Sequence, residues 1–155
     1  MRRCSSAALL AGLLAGLLTS GPAGADDHKT RFNWDALGTE FCRLTVAGDF
    51  TGLRDLLTPS LADAVAAAAA NPGLPPPRIL FQSYSNEVPQ CEAHTRNAAI
   101  VAITRSMPGG GAPAWTEYLE VVPEADGTTK IDNVLFATRR SDTLRSRLDA
   151  YAVRN

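Results

Sequence analysis

Trp34, Leu37, Phe41, Leu44 and Thr45 follow one another at three- and four-residue steps, the spacing that gathers one face of a helix. Asn33 is a suitable N-cap, with Trp34 and Asp35 entering the first turn, and Gly48 ends the helix. A second, short helix is expected from Asp49 or Thr51 through Leu53, Leu56 and Leu57. Thr58-Pro59 supplies an N-cap followed by proline at the first helical position. The third helix then carries Leu61 and Val65 into an alanine tract from Ala66 to Ala70. Asn71-Pro72-Gly73 terminates it, and Pro75-Pro76-Pro77 reads as a stiff extended connector.

Beyond Arg78 the pattern changes to strands. Ile79-Leu80-Phe81 is expected to open an extended segment that runs irregularly toward Cys91. His94-Thr95-Arg96-Asn97 reads as a polar turn before the apolar run Ala98 to Thr104, which holds Ile100, Val101 and Ile103. Trp115 to Val122 alternates, so that Trp115, Leu119 and Val121 share a face with Glu117 among them. Ala125-Asp126-Gly127 is a hairpin signal, and Lys130 to Thr138 pairs back as the last strand. Asp142 then caps a closing helix that buries Leu144, Leu148 and Tyr151, and Tyr84 and Tyr118 are expected as amphipathic core residues. The order predicts an α+β fold: N-terminal helices packed on a curved antiparallel sheet of about four strands, with a short C-terminal helix. No internal repeat is evident.

Ahead of this pattern stands a different one. Arg2 and Arg3 precede an uncharged apolar run of twelve residues, Ala7 to Leu18, broken by Thr19-Ser20-Gly21-Pro22 and followed by Ala23-Gly24-Ala25. That is the layout of a secretory signal with a small-residue cleavage site, and the run is shorter than the roughly 20 residues a membrane span needs. The expectation is a signal peptide over 1–25 cut after Ala25, a disordered tail over 26–32 and one domain over 33–155. Export, to the periplasm or outside the cell, follows. Cys4 precedes the apolar run, where a lipoprotein cysteine would follow it.

Without the leader, 13 basic face 16 acidic residues, a net charge of −3. No Lys/Arg cluster marks a phosphate-binding face, which excludes nucleic acid as a partner. Cys42 and Cys91 remain, and in an oxidising compartment they are expected to pair. In the chain-entropy model, closing a loop of ~50 residues is worth roughly 4 kcal/mol. No nucleophile elbow, zinc-binding H-E-x-x-H or Walker loop occurs, and no cofactor is expected. Gly109-Gly110-Gly111 lacks the Lys-Ser/Thr that a phosphate cradle requires and reads as a loop. Cleavage after Ala25 would expose Asp26-Asp27-His28, whose amine, amides and imidazole can chelate Cu(II) or Ni(II) in a square plane.

Phe41 to Phe50, Leu56-Leu57-Thr58-Pro59 with Leu61, Trp115 to Val122, the Gly127 hairpin, Ile131-Asp132-Asn133-Val134 and the helix from Thr143 to Leu148 together resemble the nuclear transport factor 2-like superfamily. The likeness is closest to its small exported bacterial members. It implies a cystatin-like α+β cone, a scaffold that hosts enzymes, ligand binders and interaction modules alike, so function does not come with the fold. Enzymes of this kind carry a polar dyad inside the cone, and no clear pair is present. The leading expectation is an exported, non-enzymatic binding module that engages a partner protein or a small apolar ligand in the cell envelope. One alternative is a cone-fold enzyme of lyase, isomerase or hydrolase type using Glu117 or His94, with Glu117 as an inward general base. Another is an immunity or inhibitor protein against an envelope-acting enzyme. A filled interior favours the binding module; an open pocket with converging polar groups favours the enzyme.

Overall fold

Helix α1 (Asp35–Ala47) buries Phe41, Cys42, Leu44 and Thr45 along the expected stripe. Asn33 accepts the Asp35 N–H through Oδ1 at 3.1 Å, and the helix begins one residue later than a cap at Asn33 implies, with Trp34 as its boundary residue. Thr45 stays dry because its hydroxyl donates back to the Phe41 and Cys42 carbonyls, 2.9 and 3.0 Å away. Gly48 closes the helix at φ 74°, a left-handed turn that costs glycine little. The computed structural model describes residues 32–84, 90–110 and 113–152. The leader with its cleavage site, and the Asp26-Asp27-His28 segment, lie outside the described residues. Phe32, assigned to the tail, has its ring 6.0 Å from that of Trp34.

Asp49 caps α2 (Phe50–Leu56) by accepting the Gly52 N–H at 2.9 Å. Thr58 caps α3 (Pro59–Ala69) through the Leu61 N–H, with Pro59 in the first turn as its sequence demands. The proline connector departs from expectation. Pro77 starts a one-turn helix, α4 (Pro77–Leu80), where an extended Ile79-Leu80-Phe81 segment was expected. Proline holds φ near −65°, which suits a first helical position, and the Pro76 carbonyl accepts from the Ile79 and Leu80 N–H groups at 2.8 and 2.9 Å.

Four strands form one antiparallel sheet in the order β1-β2-β3-β4: β1 (Gln90–Asn97), β2 (Ile100–Ser106), β3 (Trp115–Pro123) and β4 (Thr129–Leu135). His94 therefore sits inside a strand, opposite Ala102, and not in a turn; the chain reverses at Ala98-Ala99. The small side chains of Cys91, Ala93 and Thr95 fill the helix-facing positions of β1, so the strand shows no apolar run to read. The last strand stops at Leu135, short of the expected Thr138. Helix α5 (Leu144–Ala152) buries Leu144 and Leu148, with Tyr151 half-buried. Its start is held by Thr143, whose Oγ1 accepts the Ser146 N–H at 3.2 Å. Asp142 is not the cap. It pairs with Arg147 at 2.8 Å, and that guanidinium, with Thr138, holds its carboxyl below the usual carboxylate range.

The helices lie on one face of the sheet. Between them Phe41, Leu53, Leu61, Leu80, Phe81, Ile103, Leu119, Ile131, Leu144 and Leu148 form the core. Helix α1 rests directly on β1 because position 38 is glycine: a Cβ there would come within 2.5 Å of Ala93 Cβ. The same two elements are joined covalently, as expected, by a Cys42–Cys91 disulfide with Cα atoms 5.6 Å apart. Among the described residues, no helix is long and apolar enough to cross a membrane.

Candidate functional site

The period-two alternation of β3 turns Trp115, Glu117, Leu119 and Val121 toward the helices. Antiparallel pairing with β2 sets Arg105 opposite Trp115 and Ile103 opposite Glu117. Two charged residues thus enter the apolar face, and they meet. Arg105 Nε lies 2.6 Å from Glu117 Oε2, with the two side chains 2% and 0% exposed.

Both oxygens of the carboxylate are engaged. Glu117 Oε1 accepts from the Ser83 backbone N–H and, at 3.2 Å, from the indole Nε1–H of Trp115. Arg105 Nη2 donates to the Phe81 carbonyl at 3.1 Å, and its guanidinium carbon sits 6.0 Å from the Phe41 ring centre. A charge pair this deep is tolerated only when hydrogen bonds satisfy its other atoms. Here they tie β2, β3 and the segment after α4 into one polar knot inside the core. Gln82, beside the knot in sequence, has a buried Oε1 without a hydrogen-bond partner among the described residues, while its Nε2 donates to the Arg78 carbonyl.

Trp115 connects the knot to the surface. Its ring meets Tyr84 edge to face, with centroids 5.3 Å apart and planes at 87°. The two rings, with Met107, Pro113 and Ala114, line a cleft of about 370 Å³. No charged side chain is among these five. Larger grooves exist elsewhere: about 720 Å³ beside the disulfide between α1 and β1, and about 550 Å³ between α2, α3 and the β3–β4 hairpin. In the second, Lys130 Nζ donates to the Asp55 carbonyl at 2.5 Å across the groove. Neither has a buried polar group holding an aromatic ring in its wall.

The residues singled out from sequence are scattered by the fold. Glu117 does point inward, as its parity with Trp115 and Leu119 indicated, but with both carboxylate oxygens already hydrogen-bonded. His94 is exposed on the opposite face of the sheet, on the edge strand β1, two strands away from β3, so the two do not converge. Tyr84 and Tyr118 are not core residues: they are 51% and 37% exposed, Tyr84 at the cleft and Tyr118 on the uncovered face. Arg105 was missed. Its signal was parity, since it shares the inward face with Val101 and Ile103 and a charge there requires a partner. Ser83 and Phe81 join through main-chain atoms, which carry no residue signature. Among the described residues no cluster of His, Cys, Asp and Glu could hold a metal ion. Comparison with known proteins returned no match among family models, curated proteins or solved structures.

Proposed function

We propose that this chain is an exported, non-enzymatic binding module of the nuclear transport factor 2-like kind that takes a small apolar ligand in the Tyr84–Trp115 cleft. The observation that carries the reading is the burial of Glu117 with donors on both of its oxygens. A general base needs a lone pair within reach of a substrate proton. The Glu117 carboxylate has donors on both oxygens and no solvent exposure. It acts instead as an anchor that fixes the Trp115 indole by its N–H. The rest of that ring system is left for apolar contact beside Tyr84, Met107 and Pro113. Concave, mostly apolar sites with a few placed polar groups are the usual form of small-ligand pockets. Export is supported by the leader pattern and by the Cys42–Cys91 disulfide, a bond that persists in oxidising compartments.

The test is a titration with p-cresol, a neutral single-ring probe, followed by NMR. The Trp115 indole N–H and the Met107 methyl should shift saturably while the Trp34 indole N–H stays in place. Tyr84→Ala should weaken that binding at least about fivefold, since an aromatic contact is worth ~0.5–1.5 kcal/mol beyond the area it buries. Absence of a saturable shift at millimolar probe, or one unaffected by Tyr84→Ala, would reject the cleft. Turnover of any substrate lost in Glu117→Gln but retained in Tyr84→Ala would favour the enzyme instead.

A further inference from the structure

The two edges of the sheet are treated differently. The outer edge of β4 is covered: Leu57 bridges Ile131, the Thr58 N–H donates to the Ile131 carbonyl at 2.9 Å, and Leu135 bridges Thr143. No strand lies beside β1 among the described residues. At that edge Asp35, on the first turn of α1, reaches over to Thr95. Its Oδ1 accepts both the backbone N–H and the hydroxyl of Thr95 at 2.6 Å each, and the Trp34 N–H donates to the same hydroxyl oxygen at 2.7 Å.

An N–H bonded to Asp35 is turned away from β2. In an antiparallel ladder the direction alternates, so Cys91 and Ala93 also turn their backbone N–H and C=O groups outward. Such a row is a template for another strand. A second copy of this chain fits it by symmetry. With a two-fold axis at Ala93, the outward-facing residues pair Ala93 with Ala93 and Cys91 with Thr95. Glu92 then stands opposite His94 of the second copy, and Gln90 opposite Arg96. Glu92, His94 and Arg96 are all exposed, so no buried side chain blocks the pairing, and Glu92 has Arg96 of the second copy as a diagonal neighbour. The ladder needs the Thr95 N–H for the Cys91 carbonyl of the second copy, and that donor is the one Asp35 holds.

We propose that Asp35 is an edge plug, which keeps β1 from pairing with β1 of a second copy by occupying the Thr95 N–H. A charge-assisted bond is stronger than the amide–carbonyl bond that would replace it, and the side chain stands where the incoming strand must lie. The test is sedimentation velocity of the purified protein over a wide concentration range. Wild type and Asp35→Asn, whose amide oxygen still accepts, should sediment alike. Asp35→Ala should self-associate at least tenfold more tightly, and adding Glu92→Lys should reverse this by setting a like charge beside Arg96 of the second copy. A folded Asp35→Ala protein that sediments as wild type overturns the proposal. So does association that Glu92→Lys leaves intact, or wild-type association that Glu92→Lys alone abolishes. Amide exchange on the unsubstituted protein gives a second, independent check. The Thr95 N–H should exchange more slowly than those of Cys91 and Ala93, and equal rates overturn the plug even where Asp35→Ala does not fold.

Discussion

Replacing Glu117 with alanine should be among the costliest single changes in this chain. The substitution removes the acceptor for Arg105 Nε, for the Ser83 N–H and for the Trp115 indole N–H together. It leaves a guanidinium that is 2% exposed with the Phe81 carbonyl as its remaining hydrogen-bond acceptor among the described residues. An orphaned buried charge costs about 3–5 kcal/mol, and each unsatisfied buried donor about 1–3. These overlap, because they arise from one missing group, so about 3–5 kcal/mol is the expected loss. Arg105→Met should cost a similar amount by orphaning the carboxylate. The double substitution should cost at least about 2 kcal/mol less than the sum, since no unpaired charge remains. Denaturant unfolding with the disulfide intact measures all three. The Trp115 emission should also shift in the folded Glu117→Ala protein, as the indole loses its anchor. A loss below about 1 kcal/mol for Glu117→Ala, or strict additivity in the cycle, would refute the description of this pair as a buried, mutually dependent unit.

Removing the disulfide by Cys42→Ala with Cys91→Ala should lower stability by about 4 kcal/mol, the entropy of a loop spanning the observed separation of 49 residues; an unchanged denaturation midpoint would contradict this. Gly38→Ala should destabilise by about 1–3 kcal/mol through overpacking, because its Cβ would meet Ala93 Cβ at 2.5 Å and Val101 Cγ1 at 2.9 Å; a neutral or raised melting temperature would show that α1 can shift off β1. The Asp142 carboxyl is held below its ordinary value of 3.8, first by Arg147 and then by Thr138. A depressed folded-state pKa means that its contribution is complete above that ordinary value and is lost as pH falls through the folded one. Stability measured from pH 5 down to 2 should therefore fall less steeply in Arg147→Met than in wild type, and parallel curves would remove the pair from the acid response.

Much of the architecture could be read from residue order because the signals are local. The α1 stripe, the Thr58-Pro59 start of α3, the alternation around Leu119 and the Gly127 hairpin each depend on neighbours within a few positions. Failures arose where a short-range cue competed with a longer-range one. Three prolines suggested an extended connector, yet the last of them was already the first residue of a helix. The β1 strand looked like a turn at His94 because its inward positions carry only cysteine, alanine and threonine. Those small residues are what allow α1 to lie against it through Gly38. Tyr84 and Tyr118 were assigned to the core by residue type; the parity of Tyr118, opposite to that of Glu117 and Leu119, already put it on the other face of β3, whereas Tyr84 had no such cue.

Apart from α4 and the extent of β1, the order of elements, together with the α+β class and the pairing of Cys42 with Cys91, needed nothing beyond composition, spacing and the chemistry of single residues. Glu117 facing inward followed from its parity with Leu119. Its partner did not, because Arg105 lies on another strand and the β2–β3 register decides which residues face each other. The same holds for Asp35 and Thr95, 60 residues apart, and for the Ser83 N–H, which has no side-chain signature at all. Periodicity reports which way a side chain points. Whether a buried carboxylate is a free base or a hydrogen-bonded anchor depends on which donors the rest of the chain brings to it, and that is a property of three-dimensional contact alone.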